Sequence, residues 1–208
     1  MTGAAGGPFV GAAGGRELTL DDVVDLRAYE REREAFRRRI IELKRHRRVA
    51  VGPLVSFVFE NRDTVRFQVQ EMVRAERMIS DEQVLGELRA YNPLIPAPGE
   101  LSATLLVELT SEAELRGWLP RLVGIERAAY LRIGAVVVHC EVEETHAEQL
   151  TREDVTAAVH YVRFRLDDDR VASFGPGPVS LGIDLAGYAY EVPLGDEVRA
   201  ELMRDLLP

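Results

Sequence analysis

The chain has 208 residues, 46% apolar and 29% charged, the balance of a soluble globular protein rather than a disordered or membrane-spanning one. Its net charge of −9 argues against a general nucleic-acid binder, because affinity for phosphate backbones is mostly electrostatic. The single cysteine, Cys140, excludes an internal disulfide framework and fits a reducing, cytoplasmic setting.

Residues 1–17 are Gly/Ala-rich, with neither a basic start nor an apolar block, and read as a disordered tail rather than a signal peptide. No later run approaches the roughly 20 apolar residues that span a bilayer. Thr19 with Asp22 predicts a capped short helix at 20–26. Residues 29–46 read as a long helix with Phe36, Ile40 and Leu43 as its buried stripe. Its second face would suit a homodimer. The helix ends in the basic run Lys44, Arg45, His46, Arg47 and Arg48. That run reads as a docking patch for an acidic partner or RNA, or as cations solvated against a helix C-terminus. The lack of an aromatic stacking platform favours the second.

A strand at 49–51 is interrupted by Gly52-Pro53 before the apolar strand 54–59, and a helix follows over 62–78. In that helix Val65, Val69, Met72, Val73 and Glu76 fall at spacings of three and four, on one face. A carboxylate ending such a stripe is unusual, since burying an unpaired charge is costly. Glu60, Gln70, Glu71 and Glu76 are therefore expected to meet near one end of the sheet. The plainer alternative pairs Glu71 and Glu76 with arginines such as Arg74 and Arg77 on a wet surface.

Ser80 and Gln83 predict a further capped helix to about residue 90. The Pro-rich stretch 91–99 is the candidate sub-boundary, or else a pocket wall. Strands are expected at 103–109, 130–133, 136–142, 159–166, 179–183 and 188–192, and a closing helix at 195–207. Ser111 with Glu114 starts the helix that carries Trp118. The class is α+β: one domain over 18–208, its N-terminal helices packed on a mostly antiparallel (mixed) sheet, with a C-terminal helix.

Two groups have the chemistry of a site. His139, Glu141 and Glu143 alternate onto one strand face, with Glu144 and His146 just beyond, a mixture that suits iron, manganese or zinc. The same pattern also describes an exposed acidic face. His160, among Val159, Tyr161, Val162 and Phe164, reads as a core histidine with a satisfied hydrogen bond, or as a ligand or proton carrier in a pocket. Cys140 lies on the opposite strand face from His139, between Val138 and Val142, and reads as an inert thiol. The sequence holds no GxSxG, HExxH or CxxC, and Gly175-Pro-Gly-Pro178 lacks the pattern of a phosphate cradle.

The blocks RRVAVGPLVSFVFENRDT (47–64), QVQEMVRAER (68–77), AYNPLIP (90–96), LVGIE (122–126) and AVHYVRF (158–164) resemble a bacterial family of unknown function. Genes of that family often lie beside those for rubrerythrin-like di-iron proteins and iron–sulfur oxidoreductases. The resemblance implies a redox or oxidative-stress role and a possible redox protein partner of one of those kinds. It points to Glu60, Asn61, Arg62, Gln70, Glu71, Glu76 and His160, and away from His139 and His146. Relatives carry Asp-His-Pro-x-Tyr near the end, where this chain has Asp184, Leu185, Ala186, Gly187 and Tyr188. The expected function is thus a metal-associated protein holding non-haem iron, manganese or zinc. Glu71 and His160 would be ligands, and Glu60, Asn61, Arg62, Gln70 and Glu76 would surround a cofactor. The alternative is a non-catalytic partner that docks on a redox enzyme through the basic 37–48 surface.

Overall fold

The computed structural model describes residues 16–142 and 155–207. Glu143, Glu144, His146 and most of the expected N-terminal tail lie outside the described residues. The α+β class is as expected, but the sheet comes in two pieces.

Helix α1 (Leu26–Arg45) starts earlier than its apolar period suggests, because Asp25 caps it by accepting from the main-chain nitrogens of Arg27 and Ala28. Strands β1 (Arg48–Val51) and β2 (Val55–Glu60) form a hairpin that runs straight into α2 (Arg62–Ala75). Asn61 caps α2 by accepting from the Thr64 nitrogen at 3.0 Å, and Thr64 returns a bond to Asn61. Helix α2 stops at Ala75, short of the expected 78, because Arg77 turns to φ 53°. Helix α3 (Asp81–Tyr91) follows with the expected Ser80–Gln83 capping box.

Strand β3 (Glu100–Val107) leads to the short helix α4 (Glu112–Trp118), and then come β4 (Ala129–Ile133) and β5 (Val136–His139). The chain changes sheet at Cys140, whose nitrogen still bonds Ala129. It continues as β6 (Glu141–Val142) and, after the undescribed stretch, β7 (Val159–Arg165). Helix α5 (Asp168–Phe174), which the periodicity missed, precedes β8 (Val179–Leu185), β9 (Tyr188–Pro193) and α6 (Asp196–Leu206).

One sheet has the order β1-β2-β3-β7-β6 and the other β5-β4-β8-β9, every pairing antiparallel. Strand β2 is buried along its whole length, which is why it reads as an unbroken apolar run. Its Phe57 and Phe59, with Leu105 of β3 and Val162 and Phe164 of β7, share a core with Leu131, Leu181 and Ile183 of the second sheet and Leu202 and Leu206 of α6. The other face of the five-stranded sheet carries the helices. There Val65, Val69 and Val73 of α2 pack with Leu88, Leu94 and Ile95, and Tyr161 of β7 packs against that cluster. Leu94 and Ile95 belong to the Pro-rich stretch, which thus walls a core here.

Candidate functional site

Strand parity decides which side chains can meet. Val58, Thr104 and Tyr161 are register partners across β2, β3 and β7, so all three project from the helix-covered face. Glu60, two residues on from Val58, projects from that face too. One position out of phase, His160 pairs with Leu105 and Phe57 and projects into the core between the sheets. Glu60 and His160 are therefore separated by the thickness of a sheet.

On the helix-covered face a pocket of about 300 Å³ opens beside Glu60. Val58, Leu106 and Val159 floor it, Val65, Leu94 and Tyr91 wall it, and Thr104, Tyr161, Gln68 and Lys44 bring polar ends. Glu60 is buried, and its carboxylate accepts the Thr104 hydroxyl at 2.7 Å. It makes no ion pair among the described residues. Burial pushes the Tyr161 phenol up to about 12, with Tyr91 and the Glu60 carboxylate adding to the effect, so it is a neutral donor at ordinary pH. A cleft of about 430 Å³ between the 20–27 segment and the α2–α3 turn is roomier but mainly apolar, and holds no buried carboxylate. The smaller pocket has the convergent polar groups of a binding site.

The remaining expected site residues are spent on holding the helices in place. Arg33 grips both oxygens of Glu71 at 2.8 Å, and the buried Tyr29 hydroxyl donates to it at 2.6 Å. The Arg33 fork holds the Glu71 carboxyl below its usual range, helped by Tyr29 and opposed by partial burial. Gln70, 1% exposed, clamps the main chain of Val24, accepting at 3.0 Å and donating at 2.9 Å. Arg62 pairs with Asp22 at 2.7 Å, Asn61 is the α2 cap, and Glu76 is exposed at the end of that helix.

His160 is 2% exposed, its Nε2 within 2.9 Å of the Thr156 hydroxyl and 3.0 Å of the Ala157 carbonyl oxygen. Burial lowers its affinity for a proton, against the pull of Glu126. Cys140 donates to the Glu126 carbonyl oxygen, and burial pushes its thiol up to about 11. His139 is exposed against the Tyr130 ring. The structure does not bring Glu71 and His160 together, and Glu71 already spends both oxygens on a guanidinium. These two do not fit as ligands of one ion. Among the described residues no group of three or more His, Cys, Asp and Glu side chains is placed to hold a metal.

The basic run 44–48 is not a uniform patch. Arg47 is fully buried, Arg45 pairs with Glu42, His46 lies 3.3 Å from Glu197, Arg48 pairs with Glu108, and Lys44 reaches the pocket. Sequence placed Lys44 in the basic run and Tyr91 at the start of the stretch read as a pocket wall, but neither was expected beside Glu60, and Thr104 and Tyr161 were not among the expected site residues. A further sequence signal is that Lys44 is the sole lysine among 26 Lys and Arg residues.

Residues 17–206 match DUF3501, a protein family of unknown function, and the chain belongs to that family. It is also similar to a protein of unknown function from Burkholderia pseudomallei seen in a crystal structure. The two are 34% identical with a TM-score of 0.83, over 91% of this chain and 98% of the other. No curated protein matches the chain.

Proposed function

We propose that this protein binds a small amphipathic molecule in the Glu60 pocket, and that Glu60 receives a protonated amine of that molecule. One observation carries the reading: a buried carboxylate faces an apolar-walled pocket with a single hydroxyl as its described partner. Desolvating a carboxylate is unfavourable unless a charge or several donors compensate, and here an incoming ligand supplies the compensation. The neutral Tyr161 and Thr104 hydroxyls add directional bonds, and Val58, Leu94, Leu106 and Val159 take the apolar body.

Isoamylamine is a suitable first probe, having an ammonium head and a branched apolar body. Titrated into labelled protein, it is expected to move amide resonances of Val58, Glu60, Thr104 and Tyr161. Glu60→Gln keeps the side-chain shape and is expected to weaken binding at least about tenfold, the worth of one charge-assisted hydrogen bond. Equal binding to Glu60→Gln, or no binding to the wild type, would sink the reading.

A further inference from the structure

We infer that Lys44 is the pocket's second pole, so that the ligand is a zwitterion: an amino acid, or a molecule like one, with an apolar side chain. The inference rests on the reading of the Glu60 pocket as a ligand site and adds the ligand's second charge.

Three features of the molecule support it. Wherever this fold uses a cation structurally, it uses arginine. Arg47, Arg33, Arg132 and Arg163 each hold two or more acceptors through the planar fork. Lys44 alone is lysine, a compact ammonium with three donors on a flexible stem. Second, its side chain makes no ion pair and no hydrogen bond among the described residues, while its neighbours Arg45, Arg47 and Arg48 all do. Third, it lines the same pocket as Glu60 without pairing with it. The pocket thus presents one cation and one anion, held apart, over an apolar floor of Val58, Leu106 and Val159. A ligand with an ammonium for Glu60, a carboxylate for Lys44 and an aliphatic body satisfies all three features. A simple amine leaves Lys44 unanswered, and a simple acid leaves Glu60 so.

The test uses three probes with one skeleton: leucine, isoamylamine (leucine without its carboxylate) and isocaproate (leucine without its amine). Each is titrated into wild type, Lys44→Met and Glu60→Gln. The expected result is that leucine binds wild type at least about tenfold tighter than isoamylamine. Lys44→Met, which keeps the apolar stem, should abolish that gain without weakening isoamylamine, whose ammonium no longer shares the pocket with a second cation. Because Lys44 is the sole lysine, reductive methylation with labelled formaldehyde gives one ε-amine resonance beside that of the chain's amino terminus. Leucine should shift that resonance and isoamylamine should not. If isoamylamine binds through Glu60 but leucine binds no better, the zwitterion is wrong and the pocket reading stands. If none of the three binds, both are wrong.

Discussion

Arg47 donates to the main-chain oxygen of Glu60 at 3.0 Å, and so ties the strand that presents the pocket carboxylate to the C-terminal helix. The same guanidinium reaches the Phe59 oxygen at 2.8 Å, Glu201 of α6 at 3.0 Å, and Asp205 one turn further on. It is fully buried, so four acceptors depend on one planar cation with no water to replace it. Arg47→Met should destabilise the fold by about 3–5 kcal/mol, since removing one partner of a buried pair strands the others. Arg47→Lys should fall between, keeping the charge but losing the fork. Urea unfolding at unchanged m-value measures both. Burial already raises the Asp205 carboxyl against the pull of Arg47. Without that arginine its folded-state pKa rises further, so its contribution is favourable at low pH and lost as pH rises. The deficit of Arg47→Met should therefore shrink on acidification.

Glu71 joins α1 to α2 through Arg33 and Tyr29. Glu71→Gln replaces one accepting oxygen with a donor that faces the guanidinium, and should cost about 1.5–3 kcal/mol. Its folded-state pKa is lowered from 4.5, so this contribution is present above about pH 4.5 and fades as pH falls through the folded value. Because Glu71 faces α1 and not the pocket, binding of isoamylamine should be unchanged in Glu71→Gln. Weakened binding together with normal stability would place Glu71 at the ligand instead.

The elements were legible where their signals are local. Capping boxes at Ser80 and Ser111, and the apolar run of β2, need only neighbours in sequence, whereas the helix expected over 20–26 after Thr19 is a single 3-10 turn, Leu20–Asp22. The polar residues of α2 were legible as unusual, but their partners were not. Gln70 bonds a main chain 46 positions away and Glu71 a side chain 38 away, and no periodicity reports such distances. Parity is the other limit. His160 and Tyr161 are adjacent in sequence, and which of them faces the helices is set by register with Leu105 and Thr104. Sequence weighed the histidine, the commoner catalytic residue, whereas the pocket received the tyrosine. The sheet was read as one because the change of sheet at Cys140 falls inside a continuous run of strand-forming residues.

Burial of His160 gives a pH dependence of defined sign. Desolvation lowers its folded-state pKa from 6.5, so the unfolded chain takes up the proton first. Stability should fall as pH drops below about 6.5 and level off once the folded imidazole also protonates. Chemical denaturation of wild type and His160→Gln between about pH 5 and pH 7 isolates the effect, since lowered carboxylates act at lower pH. The difference in stability between the two proteins should narrow towards the acid end. A constant difference would mean that His160 does not titrate differently on folding.

The two sheets are latched where the β1–β2 turn meets β9. The Tyr188 hydroxyl donates to the Val51 oxygen at 2.8 Å and accepts from the Leu54 nitrogen at 3.0 Å, both ends of the turn at once. Gly52 sits between them at φ 72°, and a Cβ there would lie 2.6 Å from the Tyr190 ring and 2.8 Å from the Tyr188 hydroxyl. Gly52→Ala must therefore pay for the left-handed backbone, about 1–2 kcal/mol, and also displace the ring and break the latch. Tyr188→Phe leaves both main-chain groups without their bond and should cost about 1–3 kcal/mol. Both changes break the same contact, so the double variant should lose less than the sum of the singles. A double-mutant cycle by denaturant unfolding measures this. Strict additivity would show that the glycine is needed for its backbone alone and that the latch survives an added methyl group.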